Sequence, residues 1–554
     1  MKGLVILGLV CVLAFLAYKF YATFLEKTWG IDEKATTPAH QYEDGVDYVP
    51  TSKFEVFAHQ FSSIAGAGPV TGPILALAFG WVPALLWIIF GGIFFGAVQD
   101  FGSLYASVKN DGKSMGMIIE KYIGKTGRKM FMLFCWLFTL LVIAAFADMV
   151  AGTFNGYPVD VATSKVVENT VNGSVASISM LFIVAAVLFG FFNRYVKPKP
   201  IVQFIVGLII FVVIMYLGTV LPIMFDRSVW IFVIFAYIFA ASVTPMWALM
   251  EPRDYLTTFL FVGMIMAAIV GIFMANPTMN IDAFKGFYVN GNMIFPTLFV
   301  TIACGAVSGF HSMVSSGTSS KLIRNEKDMK LVGYGSMMLE VVLATIALVV
   351  ASAVLKDMPT GSTPFQTFAY GVNTFLSGLG LPERFVQCFV AMSLSALALT
   401  SLDSVARIGR MSFQELFIDD DKEKSLFMKF LTNKYTATAI TLIGGYALCI
   451  GGYENIWPLF GATNQLLAAL VLISISVFLK TTGRKGFMLW IPMILMLIVT
   501  LTSLGLSIYG IISAWVATGT IDIATSGLQL VIAILLVVLG VIVAFYDLRK
   551  LKNA

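Results

Sequence analysis

The sequence predicts an all-α polytopic membrane protein of about 15 transmembrane helices with a five-plus-five inverted-repeat core. Three observations carry this expectation: long apolar runs, a shortage of charge, and basic residues gathered in alternate loops. Of 554 residues, 58% are apolar and only 12% are Asp, Glu, Lys or Arg, about half the charged share of a soluble domain. That composition excludes an ordinary water-soluble enzyme. A net charge of +5 and 14% aromatic residues equally exclude a disordered or nucleic-acid-binding chain.

One helix needs roughly 20 apolar residues to cross about 30 Å of hydrocarbon. Such runs occupy approximately 3–24, 55–78, 80–108, 130–151, 176–193, 201–222, 229–249, 255–275, 294–318, 331–355, 385–405, 434–451, 456–480, 487–514 and 527–547. The first run closes on Tyr18, Lys19, Phe20 and Tyr21, which suits a membrane interface better than a cleavage site, so it is read as a span. Lys and Arg in short loops collect on the cytoplasmic side. If all fifteen runs cross, 29 of the 36 basic residues fall in one set of alternate loops. This parity places the N terminus outside and the C terminus in the cytoplasm of a multi-pass protein, and the expected location is the cell (inner) membrane.

The five cysteines, Cys11, Cys135, Cys304, Cys388 and Cys449, all lie in apolar runs without metal-ligand spacing, and read as packing residues. No phosphate-binding glycine loop is present, so no cofactor and no enzymatic reaction are expected. If the protein moves a solute, an ion gradient supplies the work.

Two runs break their own pattern. Ser62-Ser63-Ile64-Ala65-Gly66-Ala67-Gly68-Pro69-Val70-Thr71-Gly72-Pro73 places three glycines and two prolines inside the second run, where a continuous helix is disfavoured. Freed backbone groups at membrane depth are tolerated only where protein or a water-filled cavity meets them. Ser63, Ala65, Gly66, Ala67 and Gly68 are therefore candidates to bind substrate. Five runs later, Ala241-Ser242-Val243-Thr244-Pro245-Met246-Trp247 supplies a second interruption of opposite direction, adding Ser242, Thr244 and Trp247. The pairing of these breaks implies an N-terminal helix and loop (1–54), a transport core (55–410), and a linker with four peripheral helices (411–554).

The stretch His59 to Phe101, with Ser63-Ile64-Ala65-Gly66-Ala67-Gly68-Pro69, Gly80-Trp81 and Gly96-Ala97-Val98-Gln99-Asp100-Phe101, resembles the carbon starvation protein family. So do Pro252-Arg253-Asp254-Tyr255-Leu256, Thr301 to His311, Ser315-Ser316-Gly317-Thr318 and Trp457-Pro458-Leu459-Phe460-Gly461-Ala462-Thr463-Asn464-Gln465. The resemblance implies the amino acid, polyamine and organocation superfamily, a leucine-transporter-type core, and uptake of short peptides or pyruvate with protons as coupling ion. It also implies a cation site framed by Ile64, Ala67, Ser315 and Ser316. Two departures are a chain shorter than the long family members and Ala58-His59-Gln60 where many relatives carry paired histidines.

Charge inside a span costs about 2.5 to 3.5 kcal/mol on the insertion scale. Glu340, among Met337, Met338, Leu339, Val341 and Val342, has no local basic partner and is the first candidate to couple protons; Asp148 is the second, and His59 the third. Asp100 is read as equally suited to an interface, and Asp403 with Arg407 as an i, i+4 pair. His311 joins the substrate candidates, with a structural role as its alternative. Asn464 and Gln465 are assigned a structural or assembly role outside the core.

The expected function is a secondary active transporter that imports small carboxylate-bearing nutrients during carbon starvation by proton symport. A sodium-coupled amino acid or peptide transporter and an uncoupled channel are the alternatives. The partners are the solute, a proton or sodium ion and the lipid bilayer, with no nucleic acid; the sequence leaves the oligomeric state open.

Overall fold

The computed structural model describes residues 1–44, 47–160, 165–245, 248–359, 362–417 and 426–553. In chain order its principal helices are α1 (Gly3–Trp29), α2 (Lys53–Ile64), α3 (Gly68–Phe79), α4 (Trp81–Val108), α5 (Lys125–Phe154), α6 (Thr170–Val196), α7 (Ile201–Val220), α8 (Arg227–Val243) and α9 (Pro252–Ala275). There follow α10 (Ile294–Thr301), α11 (Gly309–Gly317), α12 (Lys330–Asp357), α13 (Pro364–Leu376), α14 (Glu383–Leu416), α15 (Lys434–Cys449), α16 (Tyr453–Thr481), α17 (Phe487–Thr518) and α18 (Thr525–Lys552).

Every apolar run coincides with helix, but not every run makes a full span. Among the described residues, eleven helices are long and apolar enough to cross a membrane, and α2 with α3, bent by 47°, makes a twelfth. Length and composition do not by themselves confirm the other three of the expected fifteen spans, for identifiable reasons. Thr244 is extended ahead of Pro245, as a residue before proline prefers, and α8 stops at 17 residues. The stretch 302–308 divides the ninth run into α10 and α11. Gly452, at φ 76°, ends the twelfth run so that α15 has 16 residues, roughly 24 Å of helix.

The second broken helix is consequently in the ninth run, not the seventh. Along the pair of broken helices, His59 meets Thr318 and Gln60 meets Ser315, while further on Gly68 abuts Cys304 and Gly72 abuts Thr301. Rising numbers on one side meet falling numbers on the other, so the two run antiparallel. The same relation joins α4 to α12 (Gly92 on Val341, Phe101 on Gly333) and α5 to α14 (Arg128 with Glu415, Thr139 on Gly409). It also joins α8 to α15 (Ser242 with Thr438, Phe235 with Tyr446). Partners match in length too: α5 and α14 have 30 and 34 residues, α8 and α15 have 17 and 16.

Inverted partners thus lie seven runs apart where the pair spans the fifth and sixth runs, and five apart for α8 and α15. The difference is the α6–α7 pair, whose helices pack on each other while only 22% of α7's most apolar window is buried. The expected division at 55–410 and 411–554 also differs from the packing. In α16 the whole apolar window is buried, against α4, α5, α10 and α11, whereas α17 and α18 are half exposed or more. The cause is composition: Gly461-Ala462-Thr463-Asn464-Gln465 presents small and polar side chains, which suit close helix contact rather than lipid.

A Cβ at Gly461 would collide with the carbonyl oxygen of Val300, a backbone atom with no rotamer to yield. Gly461→Ala is expected to cost about 1–3 kcal/mol by overpacking, read as a lower melting temperature of the detergent-solubilised protein. Gly505→Ala, where a Cβ meets open space, should melt as the parent does.

Candidate functional site

The first break is built from its caps inward. Glu55 accepts from the Ser52 backbone N–H and hydroxyl, closing the start of α2 with a capping box. At the other end Ala65 leaves helical geometry (ψ 60°), and α3 resumes at Gly68 with Pro69 in its first turn, where no backbone donor is needed. Gly66 and Gly68 allow contacts that a side chain would obstruct: a Cβ on Gly66 would lie 2.5 Å from Ser401 Oγ, and one on Gly68 would strike Cys304 Sγ. Two half-helix N termini, those of α3 and α11, therefore start close to the crossing of the two breaks, with their positive dipole ends there.

The second break is held by side chains of α16. Asn464 Oδ1 accepts from the Phe310 backbone N–H (3.1 Å), and Asn464 Nδ2 donates to Ser308 Oγ (3.0 Å). Gln465 Nε2 donates to the Phe299 carbonyl (2.7 Å), Trp457 Nε1 to that of Thr301 (3.3 Å), and Gln99 Nε2 of α4 to that of Ser308 (2.7 Å). These amides and the indole partner backbone groups that the interrupted helix leaves free.

At the start of α11 stands a buried cluster of titratable groups contributed by both repeats. His311 Nδ1 lies 2.9 Å from Asp100 Oδ2 on α4, and Nε2 lies 3.4 Å from Glu340 Oε2 on α12. All three side chains are at most 1% exposed. Asp100 Oδ1 and both Glu340 oxygens have no hydrogen-bond partner within the protein. Among the described residues Arg253 is the only buried Lys or Arg, and it is paired elsewhere. The cluster can gain or lose protons at three side chains, with no buried Lys or Arg among the described residues beside it.

The remaining candidates are distributed as follows. Ser63, Ile64, Ala65, Gly66, Ala67 and Gly68 all lie at the first break. His59 Nε2 contacts Thr318 Oγ1 at 3.2 Å. Ser315 Oγ accepts from Gln60 Nε2 (2.8 Å), one turn before Ile64, whereas Ser316 Oγ turns away to accept from the Met115 backbone N–H (3.1 Å). Ser242 and Thr244 sit at the end of α8, where Arg407, Arg410 and Lys434 donate to the carbonyls of residues 241–244. Their contacts run to α14 and α15, and cations at a helix C terminus explain the arrangement. Trp247 lies outside the described residues. Asp148 accepts from Arg227 Nε (2.8 Å) and the Tyr453 backbone N–H (2.7 Å), tying α5 to the starts of α8 and α16.

Asp403 pairs with Arg253 rather than Arg407, and also accepts from the Tyr237 hydroxyl (2.7 Å). Arg253 in turn donates to the Ala396 carbonyl (3.2 Å), so a buried ion pair joins α9 to α14. Asp100 is fully buried within the protein. Sequence reasoning missed its pairing with His311 and the bridging of Gln60 to Ser315 and Ser319. The available signal was a polar residue beside each marked one: Gln60 after His59, and Gln99 before Asp100.

The family model of carbon starvation protein CstA matches residues 2–362 and 356–503. The chain belongs to this family. The peptide transporter CstA of Helicobacter pylori is 32% identical over 88% of this chain and 79% of its own length. The pyruvate/proton symporter BtsT of Escherichia coli is 30% identical (89% and 80%), and the peptide transporter CstA of Bacillus subtilis 31% (88% and 86%). Among solved structures, a mutant manganese transporter of Eremococcus coleocola superposes with a TM-score of 0.50 at 9% identity, covering 90% of this chain and 94% of its own. That likeness is one of fold, and the fold is of the leucine-transporter type. The carbon starvation family member described here is a multi-pass membrane protein.

Removing one member of a buried ion pair costs about 3–5 kcal/mol, because the other charge is left uncompensated. Arg253→Met should therefore sharply lower the yield of monodisperse protein on size exclusion, and Arg253→Met with Asp403→Leu should recover much of it.

Proposed function

We propose that this chain is a secondary active transporter that imports small carboxylate-bearing nutrients, short peptides or pyruvate, by proton symport across the cell inner membrane during carbon starvation. Its N terminus lies outside and its C terminus in the cytoplasm. The observation that carries the reading is the buried Asp100–His311–Glu340 cluster at the second break. With an imidazolium and two carboxylates the cluster bears one net negative charge, and one further proton makes it neutral. Since charge is costly inside a membrane, loading that proton changes the stability of the enclosed state, and this is how a proton gradient drives a conformational cycle.

The cluster is built across repeat partners: Asp100 belongs to α4, Glu340 to its inverted partner α12, and His311 to a half of the second broken helix. Protonation there acts on elements that rock against each other in alternating access. The solute's carboxylate is received at the N termini of α3 and α11, where backbone amides and helix dipoles favour an anion. Ser63, Ala65, Gly66, Ala67 and Gly68 line this crossing, and His311 links it to the proton site. The names of the relatives, a peptide transporter and a pyruvate/proton symporter, support the choice of solutes. Glu340 is the proton carrier; the two donors held by Asp148 suit a tethering role better.

In proteoliposomes, labelled pyruvate or a labelled dipeptide should accumulate only with an inward proton gradient, and a protonophore should abolish the accumulation. Accumulation driven by sodium alone, or equilibration indifferent to either gradient, would replace symport of protons by the sodium-coupled or channel reading. Glu340→Gln should lose accumulation while still exchanging solute, and accumulation against a gradient in that variant removes Glu340 as the carrier. A further expectation concerns Cys304, which touches both breaks. In a protein whose other four cysteines are replaced, a small thiol reagent should inhibit uptake and the transported solute should slow that inhibition.

A further inference from the structure

Asn464 and Gln465 belong to a helix expected at the periphery, yet they reach the centre of the second break. Asn464 is fully buried and makes three contacts there: with the Phe310 N–H, with Ser308 Oγ and, through Nδ2, with Cys304 Sγ at 3.6 Å. Phe310 directly precedes His311, and Gly309 is so close to the Asn464 carbonyl and to Leu467 that a Cβ there would lie 2.5 Å from each. The first turn of α11 is thus fixed to α16 by hydrogen bonds on two consecutive segments and by contact at the glycine between them. The His311 ring is held at Nδ1 by Asp100 of α4, and Glu340 of α12 lies 3.4 Å from Nε2 on its other side.

We propose that Asn464 is a positioning residue for proton coupling: by fixing the first turn of α11 it sets the imidazole of His311 between Asp100 and Glu340. The proposal rests on the reading of that cluster as the proton site. The groups around His311 leave few other ways to set its environment. Asp100 faces it from α4 and Glu340 from α12, while Cys304 lies in the preceding break. His59, on α2, is engaged with Thr318 at the far end of α11. The short helix Met115–Tyr122 packs nearby, but its Glu120 turns to Arg128 and its Lys121 and Tyr122 to Asn110. The titratable residues of α16, Tyr453, Glu454 and Lys480, lie at its two ends, so the helix brings no titratable group to His311's turn.

The test is the pH dependence of uptake in proteoliposomes. Asn464→Ala should displace the midpoint of the pH profile by about half a unit or more and slow uptake about tenfold, the scale expected when a reacting group is misplaced. In a His311→Asn background the same substitution should produce no further displacement, because the imidazole it positions is gone. An unchanged midpoint in Asn464→Ala, with uptake lowered equally in both backgrounds, would overturn the proposal and leave Asn464 as a packing residue. Should Asn464→Ala fail to assemble, Ser308→Ala removes only the hydroxyl that Asn464 Nδ2 holds; its midpoint should move the same way, and an unmoved midpoint counts against the proposal. Failure of the underlying reading is recognised separately, by gradient-driven accumulation in Glu340→Gln.

Discussion

A helix interrupted inside a membrane frees amides and carbonyls that water cannot reach, and each must find a partner within the protein. Much of this structure answers that requirement. The second break has its carbonyls at Phe299, Thr301 and Ser308 taken by Gln465, Trp457 and Gln99, and its Phe310 amide taken by Asn464. To deliver those groups, α16 must run through the interior, and its fully buried window follows. The first break meets the need differently, by glycines that bring Ser401 and Cys304 against the backbone. Because the two breaks cross, each also serves as a wall for the other.

From that crossing the inverted architecture unfolds. Broken helix pairs with broken helix, long α5 with long α14, short α8 with short α15, each antiparallel to its partner. Such symmetry places residues of both repeats around one point, and the Asp100–His311–Glu340 cluster sits on it. Other buried carboxylates are used differently. Asp148 and Asp403 each face an arginine, Glu326 faces Lys109, and Asp547 accepts from the Ser474 hydroxyl, so each is tethered by a neighbouring side chain, whereas Glu340 at the cluster has only the His311 ring beside it. The distinction lies in the partner, not in the residue type.

Much of the chemistry was legible in the amino-acid order. The break at residues 62–73 was readable because glycine and proline act locally, through backbone freedom and a missing donor. Glu340 stood out because nothing basic lies within a helical turn of it. The break at residues 302–308 was harder: Ala303-Cys304-Gly305-Ala306-Val307-Ser308-Gly309 contains no proline, and small residues suit close packing as well as interruption. Pro245 misled for the complementary reason, since proline after a helix end and proline within a span have the same local signature.

Sequence alone determined that the chain is a helical membrane protein, which runs of apolar residues enforce through the cost of exposing them to water. It also determined where the first helix breaks and which acids lack a neighbouring base. Only the tertiary structure decided which helices are partners, because an inserted hairpin shifts the spacing without marking the sequence. It alone decided that His311 stands between Asp100 and Glu340, residues 211 and 29 positions away. Contacts between helices depend on which faces meet, and that is fixed by the packing of the whole bundle rather than by any one segment.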